Sequence, residues 1–136
     1  MGFTTIVSSD TLEQHLQDPT WVIVDCRFDL TKPAWGQESY AAAHIPGAFF
    51  ADLDHDLAGP KTATSGRHPL PSTDSWLRLV SKWGIERGTQ VVAYDSAGGS
   101  LAAVRVWWLL RAYGHRFAAV LDGGWPKWQR EARPMD

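Results

Sequence analysis

A chain of 136 residues, 44% of them hydrophobic, is long enough to bury one continuous core, and a single domain spanning 1–136 is expected. Its formal charge of -2 and pI near 6.2 exclude bulk electrostatic attraction to nucleic acid or an anionic membrane, so any anion site has to be local. The lone Cys26 excludes an internal disulfide and, with no second cysteine near the five histidines, argues against a zinc site.

No basic segment followed by an apolar run opens the chain, and nowhere do about 18 consecutive apolar residues occur. The expectation is a soluble protein of a reducing, cytoplasmic compartment, with no membrane or nucleic-acid partner and neither metal nor cofactor. Thr4, Thr5, Ile6 and Val7 read as a short strand, and Asp10 to Glu13 has capping-box spacing ahead of a helix ending near Asp18 and Pro19. Trp21, Val22, Ile23, Val24 and Asp25 form a continuous apolar run stopped by a charge, the pattern of a strand buried on both faces of a parallel sheet. Its end delivers Asp25, Cys26 and Arg27. A loop with Pro33 and Gly36 precedes a short helix over 38–43, closed by His44, Ile45, Pro46 and Gly47; Ala48, Phe49 and Phe50 resume as a strand.

Residues 52–71 are polar and rich in Gly, Pro, Ser and Thr, near the upper length for an unstructured loop in a compact domain, which marks them as functional. Trp76, Leu77, Val80 and Trp83 have helical spacing within 72–83, and Gly84 is a natural stop. Gln90 to Tyr94 is a second buried strand, followed by the turn Asp95, Ser96, Ala97, Gly98, Gly99 and Ser100. A long apolar helix then runs to about Tyr113 and Gly114. Ala118 to Leu121 is the last strand, and a short helix over 125–130 follows Asp122, Gly123 and Gly124. Such alternation implies an α/β fold with a central parallel sheet of about five strands flanked by helices on both faces.

Ligands in open parallel sheets bind beyond the carboxyl ends of the strands, and there only the turn after Tyr94 has strong chemical character. Its small residues Ser96, Ala97, Gly98, Gly99 and Ser100 let backbone N–H groups converge, and the next helix adds the positive end of its dipole. A thiolate or persulfide would be stabilised in such a cradle, yet its first position holds Asp95. The carboxylate either fills the cradle itself or simply caps the helix.

Taken together, these residues resemble a rhodanese domain. The likeness rests on Val24-Asp25-Cys26-Arg27 at a strand end, on Tyr40 followed by His44-Ile45-Pro46-Gly47-Ala48, and on Leu121-Asp122-Gly123-Gly124 with Trp128 beyond; it spans nearly the whole chain. Phe49-Phe50 with Asp52-Leu53-Asp54, then Arg67-His68-Pro69-Leu70-Pro71, and Tyr94-Asp95 ahead of Arg105-Val106-Trp107-Trp108 resemble the first domain of thiosulfate and 3-mercaptopyruvate sulfurtransferases. In that family two such domains lie side by side, and the sulfur-carrying cysteine opens the corresponding loop of the second. The resemblance therefore implies a chain with no catalytic residue of its own, Asp95 standing where the cysteine would be, partnered by a second rhodanese domain in the same or a separate chain. It further implies that His68 and Asp54 assist activation of a small sulfur donor, and that Phe28 and Leu101 line the apolar wall near the sulfur. Transfer would run from thiosulfate or 3-mercaptopyruvate to cyanide or a thiol. A freestanding inactive module that binds a protein or a small anion is the alternative.

Each of these residues also has a plainer reading. His68 lies in a polar loop, and Asp52, Asp54, His55 and Asp56 could all be solvated. Arg27 either binds an anion or, the favoured reading, pairs with an acid such as Asp25 or Glu38. Arg105, inside an apolar helix, is expected to pair with a loop carboxylate and fix the turn around Asp95. His44 is expected to satisfy backbone groups at a helix end, and Cys26 to be an inert core thiol. An aspartyl phosphatase built on Asp95 lacks the Asp-x-Asp arrangement that magnesium-assisted transfer needs. Among the eight tryptophans, Trp76, Trp83, Trp107 and Trp108 are expected to pack the sheet and Trp35 to meet a partner. An apolar patch made for a sister domain should produce weak self-association.

Overall fold

The computed structural model describes residues 2–62, 64, 66, 68–98 and 102–136. Strands β1 (Ile6–Val7), β2 (Trp21–Asp25), β3 (Phe49–Phe50), β4 (Gln90–Tyr94) and β5 (Ala118–Leu121) form a sheet in the order β1-β5-β4-β2-β3. Every pairing is parallel. The helices are α1 (Ser9–Gln14), α2 (Trp35–Ala42), α3 (Thr73–Lys82), α4 (Ala102–Ala112) and α5 (Gly124–Arg130).

The two central strands are the continuous apolar runs, paired along their length from Trp21 opposite Gln90 to Asp25 opposite Tyr94. Because side chains alternate across a strand, each strand feeds two cores. Val22, Val24, Val91 and Ala93 meet Trp76 of α3, Trp83 at its C-terminal cap, and Val106 and Leu109 of α4. Ile23, Val92 and Tyr94 on the opposite face meet Leu12, Ile45, Trp125 and Trp128. Helices therefore cover both faces, as the alternation of elements implied.

Three local expectations are corrected. The cap of α1 is Ser8, whose hydroxyl accepts from the Thr11 N–H at 3.1 Å, so the helix starts before Asp10 and ends at Gln14. Asp18 instead accepts from the N–H and hydroxyl of Thr20, a local turn that competes with helix. Helix α2 begins at Trp35 rather than at residue 38, with Gly36 inside it. A Cβ on Gly36 would lie 2.1 Å from the Arg27 carbonyl oxygen, so a glycine that reads as a loop residue instead permits close approach of α2 to the end of β2. Trp35 is consequently half-buried. Trp108, expected against the sheet, stands 48% exposed because Ala103, Val106 and Leu110 occupy the inner face of α4. Trp76 and Trp83 are buried in the core, and Trp107 donates its indole N–H to the Thr4 carbonyl at 2.8 Å.

Beyond the end of β2, Arg27 makes a buried two-pronged ion pair with Asp25, at 2.7 Å for its closest contact, and donates to the Ala43 carbonyl. Its guanidinium also lies 4.3 Å from the Trp125 ring centre. The Tyr94 hydroxyl donates to Asp25 at 2.8 Å and accepts from the Ile45 N–H, and burial beside Asp25 holds that phenol well above its ordinary range. Arg27 is thus paired within the fold. The His44 ring stacks on Tyr40 and its Nδ1 lies 2.7 Å from the Tyr40 carbonyl, satisfying the end of α2.

Candidate functional site

The segments leaving the carboxyl ends of β2, β3 and β4 surround a cavity of about 870 Å3, lined by Phe28, Asp29, Leu30, Leu53, His68, Leu70, Val104, Arg105 and Trp108. This is where an open parallel sheet places ligands. Phe28, Asp29 and Leu30 follow β2, Leu53 follows β3, His68 and Leu70 come from the long polar loop, and Val104, Arg105 and Trp108 from α4.

The acidic stretch after β3 sorts itself by local hydrogen bonding. Asp52 accepts from the N–H groups of Asp54 and His55, and Asp56 accepts from the N–H of Asp52, so two of the three acids are spent on folding the turn. Asp54 faces the other way: its Oδ1 lies 2.9 Å from Nε2 of His68. An ionised carboxylate only accepts, so Nε2 carries the proton and, in the neutral ring, Nδ1 keeps its lone pair. The His68 side chain is 17% exposed, and the Phe28 ring meets it edge-on with centroids 5.9 Å apart. Of the four residues expected at a pocket, Phe28 and His68 line the cavity and Asp54 touches it only through His68; Leu101 lies outside the described residues, as do Arg67, Gly99 and Ser100.

Asp95 is fully buried. Its Oδ1 accepts from the Ala97 N–H at 2.9 Å and its Oδ2 from the Ala103 N–H at 3.0 Å. The carboxylate thus accepts one N–H from the turn, at Ala97, and one from the first turn of α4, at Ala103, bracing the helix start. Its carbonyl receives the Trp125 N–H, and a Cβ on Gly124 would come within 2.6 Å of that oxygen. Gly98 turns the chain with φ +70, while Ser96 is half-buried and Ala97 exposed.

Arg105 does not pair with a carboxylate among the described residues. It donates instead to three main-chain carbonyls, Leu57 at 2.7 Å, His68 at 2.9 Å and Pro69 at 3.0 Å. A loop curling its carbonyls toward α4 offers a planar donor fork what a single carboxylate would. Desolvation holds the guanidinium below its ordinary pKa. Cys26 is fully buried with Sγ 3.2 Å from the Tyr94 carbonyl. Burial, then the negative charges of Asp95 and Asp25, push its thiol well above the usual range, which suits a core residue and not a nucleophile.

Sequence reasoning did not foresee the apolar mouth of the cavity, where Leu30 (49%), Leu70 (56%), Val104 (44%) and Trp108 (48%) stand exposed. The available signal was Val104 and Trp108 four residues apart on α4, with lone leucines at 30 and 70 in otherwise polar loops. Among the described residues no cluster of His, Cys, Asp and Glu could hold a metal, and no helix is long and apolar enough to cross a membrane.

A five-stranded parallel sheet with helices on both faces and the candidate site beyond its strand ends defines an α/β protein of the rhodanese type. Residues 8–131 match the model of the rhodanese-like domain, and the chain belongs to that family. It is 40% identical over 131 residues, 95% of its length, to a probable 3-mercaptopyruvate sulfurtransferase of Pseudomonas aeruginosa, of which it covers 46%. It is 40% identical over 125 residues, 91% of its length, to thiosulfate/3-mercaptopyruvate sulfurtransferase 2 of Arabidopsis thaliana, of which it covers 35%. The solved 3-mercaptopyruvate sulfurtransferase from Leishmania major superimposes with a TM-score of 0.89 at 28% identity, over 98% of this chain and 36% of that one. The chain thus spans less than half the length of these relatives.

Proposed function

We propose that the chain is the N-terminal, non-catalytic rhodanese domain of a two-domain sulfurtransferase, shaping a substrate pocket for a cysteine carried by a second rhodanese domain. The observation that carries this reading is the buried Asp95 carboxylate, held by the Ala97 and Ala103 N–H groups in the loop where the resemblance places a sulfur carrier. A carboxylate cannot accept sulfane sulfur, and the one thiol of the chain is sealed in the core.

His68, held from behind by Asp54, lines a cavity with an exposed apolar mouth, so it can act on a molecule held between this chain and a partner. When sulfur leaves 3-mercaptopyruvate for a thiolate, the C–S bond breaks and the departing carbon needs a proton. The Nδ1 lone pair of an imidazole oriented by a carboxylate is suited to take the proton of the donor's S–H as the thiolate attacks that sulfur and to return it to the departing carbon, leaving a persulfide and pyruvate. Leu30, Leu70, Val104 and Trp108 form the face that the second domain covers.

Mass spectrometry after incubation with thiosulfate or 3-mercaptopyruvate should show no persulfide on this chain. Adding a rhodanese domain that carries the loop cysteine should produce sulfur transfer to cyanide, and His68→Asn should lower that rate by about 10²-fold, the size of a lost proton-transfer group. A sulfur adduct on Cys26, or a reconstituted rate indifferent to His68→Asn, would overturn the reading.

A further inference from the structure

We propose that Arg105 is a positioning residue for His68, holding the loop that carries the imidazole in register with Asp54; this rests on the reading of His68, held by Asp54, as a pocket residue. The guanidinium is half-buried on an apolar helix without a carboxylate partner among the described residues, an arrangement that costs desolvation and needs an offsetting role.

Its contacts supply that role. The long loop leaves the turn after β3 at Leu57 and returns at His68 and Pro69, and Arg105 donates to carbonyls on both arms. The arms also close on each other at this neck, where the Gly59 N–H donates to the Pro69 carbonyl at 2.8 Å. A Cβ on Gly59 would lie 2.6 Å from the Leu70 carbonyl oxygen, so the neck is tight. One acceptor is the carbonyl of His68 itself, so the guanidinium fixes the backbone from which the imidazole reaches Asp54.

Helix α4 makes a firm base for the clamp, since Ala102, Ala103 and Val106 around Arg105 are buried against the sheet. The planar fork presents Nε and a terminal nitrogen in fixed relation, whereas a lysine ammonium offers one point of charge on a flexible stem. Both arms can therefore be held by arginine and not equivalently by lysine. Phe28, packed edge-on against the imidazole, limits its swing but touches neither arm of the neck through any of these bonds.

The test follows the His68 Nε2–H proton by NMR in labelled protein, a readout that global stability alone does not set. In the parent chain this proton, held by Asp54, should exchange slowly with water. Arg105→Met should speed the exchange about tenfold, equivalent to about 1.4 kcal/mol of lost protection. Leu109→Ala, a core truncation on the same helix, serves as the control for general loosening and should leave the exchange near the parent rate. Parent-like exchange in folded Arg105→Met, or equal acceleration in Leu109→Ala, would overturn the proposal. If Arg105→Met does not fold, Arg105→Lys decides: faster exchange than the parent supports the clamp, and an unchanged rate refutes it. Because the measurement reads geometry and not turnover, indifference of the reconstituted enzyme to His68→Asn would sink the proposed function while leaving this result standing.

Discussion

Replacing Asp95 with alanine removes a buried carboxylate on which the Ala97 and Ala103 N–H groups converge, and the structure allows the cost to be built up bond by bond. Ala103 is fully buried, so its N–H is left without water as a substitute, a penalty of roughly 1–3 kcal/mol. Ala97 is exposed and its N–H can rehydrate, so its share is smaller, roughly 0.5–1.5 kcal/mol, the ordinary net value of a hydrogen bond. The sum is about 1.5–4.5 kcal/mol, a large part of a typical domain's total stability. Asp95→Asn keeps one oxygen acceptor and should fall roughly midway, about 1–2 kcal/mol. Urea unfolding followed by tryptophan fluorescence reads both values, since Trp76, Trp125 and Trp128 are buried and report on the core. An unchanged midpoint and slope for Asp95→Ala would show that the carboxylate does not brace the helix start.

The remaining predictions concern the thiol and the exposed mouth. Burial raises the folded pKa of Cys26 above its unfolded value, so its contribution to stability is fully present below about 8.5 and declines as pH rises through the folded value. Relative to Cys26→Ala, the parent should therefore lose stability on the alkaline side in denaturant titrations at stepped pH, and iodoacetamide should label it only as fast as the core opens. An equal pH profile for the two proteins, or rapid labelling of the folded chain, would contradict this. At the mouth, the isolated chain should self-associate weakly through Leu30, Leu70, Val104 and Trp108, and Trp108→Asp should abolish the association while changing stability by no more than about 0.5 kcal/mol. Light scattering on a concentration series checks it; association that survives Trp108→Asp would place the contact elsewhere.

What could be read from sequence follows from which interactions are local. Trp21–Asp25 and Gln90–Tyr94 were legible to the residue, because a strand buried on both faces has to be apolar throughout and can end only at a charge or turn. That Asp95 would find donors nearby was legible for the same reason, since small residues and a helix follow it, whereas the choice between cap and cradle was not. The start of α1 was not, because Ser8 and Asp10 are both competent caps and only the packing of Leu12 into the core selects between them. Nor was the exposure of Trp108: α4 is apolar nearly all round, so its pattern carries no label for the face the sheet covers. Asp54 among four neighbouring polar residues, and Arg105 without a nearby acid, were decided later still. The His68 partner is 14 residues from Asp54 and 37 from Arg105, in a loop with no periodicity, and nothing in the local pattern encodes where its two arms meet. The sequence by itself determined the sheet, the buried thiol and the carboxylate in the loop, because backbone pairing and apolar burial leave a periodic or continuous trace. Only the tertiary structure decided which acid meets His68, which carbonyls hold Arg105 and which apolar side chains remain uncovered, because those contacts depend on how distant segments close around one another.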